Sequence, residues 1–136
     1  MNWSAVRTIF LTALFVCASC GAPESGAAAE KAHDAWKLYL SNPDPATYEN
    51  FIRANRAAAD LHAMPHDAPG IEYQLRALEV MAQEAERTHD LNMADDVTGR
   101  IEEIETRDLV GVYDESVSGA RERLTAAKAR AAAVTR

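Results

Sequence analysis

Ile71, Leu75, Leu78, Ala82 and Ala85 recur at spacings of three and four residues in "IEYQLRALEVMAQEAERTH". An α-helix turns once every 3.6 residues, so this spacing lines the five side chains along one face. A strand, with its period of two, cannot. The same rhythm returns in "MADDVTGRIEEIE" through Ala94, Val97, Ile101 and Ile104. It returns again from Val110 through Tyr113, Val117, Ala120, Leu124 and Ala127 to Ala131, as in the seam of a bundle or coiled coil. Gly111 and Gly119 weaken that last helix, while Arg121, Arg123, Lys128 and Arg130 suit its negative C-terminal end.

Two further helices precede these. In "AAEKAHDAWKLYL" the pattern runs through Ala29, Ala32, Trp36, Tyr39 and Leu40. "SNPDP" ends it, with Asp44 placed to cap the next helix and Pro45 at its first position. Tyr48, Phe51, Ile52, Ala58 and Leu61 then share a face until "PHDAPG" breaks the chain. The break at "HDLN" holds neither Gly nor Pro, which leaves open whether residues 71–106 form one bent helix or two. Strand-favouring clusters are missing and alanine is abundant. The expectation is an all-α fold, a small antiparallel bundle of about four to five helices over residues 30–136.

The N-terminus follows a different logic. "MNWSAVRTIFLTALFVCASCG" opens with one cation, Arg7, then an apolar run of about ten residues, then small residues and cysteine. At ~1.5 Å per residue the run spans about 15 Å, half of a ~30 Å hydrocarbon core. Cys17-Ala18-Ser19-Cys20 resembles the lipobox of bacterial lipoproteins, with Cys17 standing where leucine is usual. The resemblance implies a signal peptide over 1–19, a covalent lipid on Cys20, and a short tether over 20–29. It also implies a membrane-anchored lipoprotein. Gly21, rather than Asp, after the cysteine favours the periplasmic face of the outer membrane. Several acyl chains anchor firmly where one holds only marginally. A Cys-x-x-Cys redox or zinc reading lacks its βαβ surround or its further ligands.

Charge narrows the partners. The chain carries −7, and −8 once residues 1–19, with Arg7 their one charged side chain, are removed. Such a protein does not neutralise phosphates, so nucleic acid is excluded as a partner. Its expected contacts are the bilayer, through the lipid, and a protein in the periplasm or envelope. Asp95, Asp96, Glu102, Glu103 and Glu105 fall largely between the apolar positions of their helix and offer an acidic docking surface. Trp36 and Tyr39, residue types that dominate binding hot spots, are further partner-binding candidates.

Other chemistry is sparse. His62, Met64 and His66 in "DLHAMPHD" are soft ligands that would suit a metal, although Pro65 interrupts the helical i,i+4 geometry. Glu86 and His89 form a single Glu-x-x-His, half of what a di-iron bundle uses, and read as a solvated face. No Gly-x-Ser-x-Gly elbow and no phosphate-binding glycine loop occur. No catalytic residue is assigned, no cofactor beyond the lipid on Cys20 is expected, and the chain is expected not to be an enzyme. The reading is a non-enzymatic protein-binding lipoprotein, such as an immunity or inhibitor protein against a periplasmic toxin or hydrolase. Its alternatives are a metal or small-ligand carrier using the His62-Met64-His66 turn, or an envelope spacer.

Overall fold

A computed structural model describes residues 22–134, with side chains from Ser25 onward. The expected signal peptide, Cys17 and the lipid-bearing Cys20 lie outside the described residues. Among these the chain is all-α: α1 (Ala22–Ser41), α2 (Pro45–Leu61), α3 (Ala68–Thr88), α4 (Leu91–Thr106), α5 (Val110–Ser116) and α6 (Ala120–Val134). No described helix is long and apolar enough to cross a membrane.

Local chemistry sets each boundary. Asp44 caps α2: its Oδ1 accepts from the Thr47 amide at 2.8 Å, and Thr47 Oγ1 accepts from the Asp44 amide at 3.1 Å. Pro45 sits in the first turn, where its missing N–H costs nothing. Asp67 and Asp90 cap α3 and α4 through the amides of Gly70 and Met93, each at 3.0 Å. The "HDLN" segment therefore separates two helices. His89 takes a left-handed φ of 55°, and the Asp90 amide turns back to the Ala85 carbonyl, ending α3 without glycine.

Two boundaries differ from expectation. The last segment is two helices, because the chain leaves α5 at Val117 in an extended conformation and passes Gly119 at φ 74° before α6 starts. Six helices result where four to five were expected. The stretch 22–29 is helical, so α1 reaches into the segment expected to be tether. Ala28 and Ala29 pack beside Ala32, Ala58 and Tyr73, and alanine's helix propensity carries the turn that far.

Helix α3 is the axis on which all the others pack. Its predicted stripe of Ile71, Leu75, Leu78, Ala82 and Ala85 is fully enclosed against Val97 and Ile101 of α4 and Leu124, Ala127 and Ala131 of α6. Small residues at this seam let backbones approach closely. A second stripe on α3, Tyr73, Val80 and Glu84, is buried on the side of α1 and α2, with Tyr39 and Phe51. Ion pairs record direction: Arg123 meets Glu72 and Glu79, and Arg130 meets Glu86, so α6 runs parallel to α3.

Candidate functional site

Helix α2 packs on α1 and α3, whereas α4 packs on α3 and α6, so α2 and α4 diverge on either side of α3. A groove of about 620 Å³ opens between them. Its floor is α3 from Gly70 to Met81, with Tyr73, Ala77 and Leu78 between. One wall is a single stripe of α2: Tyr48, Ile52, Asn55, Arg56 and Ala59. The other is Arg100, Glu103, Ile104 and Arg107 on α4 and its cap. Toward one end the Tyr48 hydroxyl reaches Met93 Sδ at 3.7 Å and ties the walls together. The turn at Pro65 and His66 and the side chains of Leu109 and Tyr113 complete the lining.

The groove inverts the charge of the protein. Three arginines and one glutamate line it, in a chain whose net charge is −7. Arg56 has no ion pair among the described residues. Arg100 pairs with Asp96 at 3.1 Å and Arg107 with Glu103 at 3.4 Å, all four side chains about half exposed or more. Pairs so exposed contribute ~0–1 kcal/mol and yield readily to a competing carboxylate. Burial pushes the Tyr48 and Tyr113 phenols up, with smaller upward contributions from Glu84 at Tyr48 and Glu103 at Tyr113, so both remain hydroxyl groups. Tyr113 donates to Gln74 Oε1, and Gln74 Nε2 donates to the Pro65 carbonyl at 2.8 Å, bracing the end of the groove. Asn55 Nδ2 donates to the Tyr73 carbonyl at 3.1 Å, while its buried Oδ1 has no partner.

The sequence candidates fall in several places. His62 and His66 border the groove, and His62 Nε2 lies 2.5 Å from the Asp67 carboxylate. Met64 is 65% exposed and does not line it. Among the described residues no three His, Cys, Asp or Glu side chains converge as metal ligands would. Asp95, Asp96, Glu102, Glu103 and Glu105 are all exposed on α4, but Asp96, Glu103 and Glu105 are neutralised by Arg100, Arg107 and Lys128. Glu86 pairs with Arg130 and His89 serves as the α3 cap.

Of the two aromatic candidates, Tyr39 is corrected. Tyr39 is fully buried and bonded to Glu84, so it presents nothing to a partner. Trp36 is half-buried beneath the guanidinium groups of Arg76 and Arg123, 4.8 and 5.9 Å from its ring. Both residues join α1 to α3, and so build the bundle that carries the groove.

Sequence reading missed Arg56, Arg100 and Arg107 because each lies on the exposed side of an amphipathic helix, where an arginine is ordinary. The available signal was the spacing of Arg100 and Arg107, two helical turns apart on one side of α4. The chain matches no known family, no curated protein and no solved structure at a significant level.

Proposed function

We propose that this chain is a lipid-anchored, periplasm-facing binding protein, held to the outer membrane through Cys20, whose working surface is the groove between α2 and α4. The single observation that supports it most is the composition of that groove. Apolar residues make up most of its floor, and arginines stand on both walls. Such a trough provides area and orientation, the requirements of recognition. The lipobox-like Cys17-Ala18-Ser19-Cys20 supports the anchor, and a partner in the envelope follows from that address.

A photo-reactive side chain placed at Ala59, inside the groove, and at Glu115, exposed on α5 and away from it, tests this reading in intact envelopes. A specific protein adduct from Ala59 and none from Glu115 is expected. An adduct confined to Glu115 would move the working surface elsewhere. Loss of palmitate labelling in Cys20→Ala tests the anchor separately.

A further inference from the structure

From the arrangement of charge around the groove, we infer that its occupant is an amphipathic helical segment of a partner protein with acidic residues along both flanks. This rests on the groove being the binding surface. The floor from Gly70 to Met81 spans about 16 Å along α3, the length of three helical turns. Walls supplied by helices on either side of α3 leave room for a rod running along it, and a helix laid into a groove fills that shape by its apolar face. Ile52 and Ala59 on one wall, Leu78 and Met81 below and Ile104 opposite give that face apolar partners.

The cations choose the flanks. Arg56 stands on the α2 wall and Arg100 and Arg107 on the α4 wall, the latter two about 10 Å apart along the helix. Each α4 arginine is drawn one turn back, toward Asp96 or Glu103, which keeps the two apart. Positive charge therefore stands on both walls, one arginine on α2 and two on α4, with an apolar strip between them. A small amphiphile has one head group and would be served by one focus. An acidic amphipathic helix has carboxylates on both sides of its apolar stripe and meets the arginines of both walls.

Residues 1–21 and 135–136 contain no acid and do not fit this description. Helix α4 of a second copy is acidic, but its apolar face is occupied by its own core. The occupant proposed is therefore a segment of a different protein. Overall acidity, which on its own suggests a basic partner, is reversed in this groove.

The test uses the full chain in detergent micelles and a displayed library of helical peptides of about 14 residues. The apolar stripe is fixed as leucine and alanine, and the flanks are randomised among Glu, Lys and Gln. Selection is expected to enrich Glu at both flanks at least tenfold over Lys. A selected peptide should bind at least tenfold more weakly to Arg56→Glu and to Arg107→Glu, with helicity of the protein unchanged by circular dichroism. Enrichment of Lys or Gln, no enrichment, or a selected peptide indifferent to both substitutions would overturn the inference. So would displacement of the selected peptide by palmitate, which would assign the groove to an amphiphile. An Ala59 adduct in the envelope alongside any of these results would leave the groove as the binding surface and refute only the acidic helix.

Discussion

Tyr39 on α1 donates its hydroxyl hydrogen to Glu84 on α3 at 2.9 Å, inside a helix interface from which water is excluded. Arg87 grips both oxygens of the same carboxylate, Nε donating at 2.9 Å to the Oε2 that Tyr39 also reaches and Nη2 donating to Oε1 at 2.5 Å. A buried carboxylate is costly unless paired and hydrogen-bonded, and here it is both. The bonds from Arg87 hold Glu84 below the usual carboxylate range, the Tyr39 hydroxyl adds to them, and burial opposes both. The Tyr39 phenol is correspondingly raised, by burial first and by Glu84 second.

A pH dependence follows with a definite sign. Because the native pKa of Glu84 is depressed, its contribution is present above its ordinary value of 4.5 and is lost as pH falls through the native value. Glu72 acts in the same direction: burial opposes its charge, but Arg123 and Arg76 outweigh it. Thermal stability is expected to decline as pH is lowered from 5 to 3. In Glu84→Gln the midpoint at neutral pH should be lower and the acid-side slope shallower. Scanning calorimetry across that range checks it; an unchanged slope would remove Glu84 from the account.

Arg123 makes four hydrogen bonds, two to Glu79 and two to Glu72, at 2.7–3.0 Å. Burial works against its charge, yet the bonds to Glu79 and Glu72 raise its pKa overall. Arg123→Leu strands Glu79 and leaves Glu72 with Arg76 alone, and is expected to cost about 2–4 kcal/mol. Arg123→Lys keeps the charge but loses the planar fork, and should cost about 1 kcal/mol. Urea unfolding of the two variants, compared at equal slope, measures the difference.

His89 ends α3 in the left-handed region, where a Cβ is unfavourable by ~1–2 kcal/mol. His89→Gly relieves that strain and loses ~0.4–1 kcal/mol through the freer unfolded chain. A net gain of about 0.5–1 kcal/mol is expected, with no gain for His89→Ala. Paired melting curves decide it.

Gly70 is required for a different reason. It sits in the first turn of α3, where an added Cβ would meet the Met64 carbonyl oxygen and lie 2.8 Å from the Pro65 carbonyl. Backbone cannot rotate aside as a side chain can. Gly70→Ala is expected to cost about 1–3 kcal/mol and to displace the turn at the groove's end. Ala at Gly99, where an added Cβ meets nothing, should stabilise its helix instead.

Much of this architecture is legible in the residues. The stripes at 71–85 and 94–104 are buried throughout, because one face of each helix meets one core. Tyr73, Val80 and Glu84 were not legible, since a glutamate within the stripe hides a second buried face. The α5–α6 break was obscured for a related reason. Tyr113, Ala120 and Leu124 keep helical spacing across it because both helices face the same core, and Gly119 alone marked the turn. The groove depends on how α2 and α4 splay about α3, a tertiary relationship with no period in the sequence.

The groove, with arginines on both of its walls, is proposed to receive a partner. Combining Arg56→Glu, Arg100→Glu and Arg107→Glu in the membrane-anchored chain and measuring the photo-adduct formed from Ala59 tests this most directly. The adduct is expected to fall at least tenfold while helicity and abundance are maintained. An undiminished Ala59 adduct in a folded triple variant would contradict it.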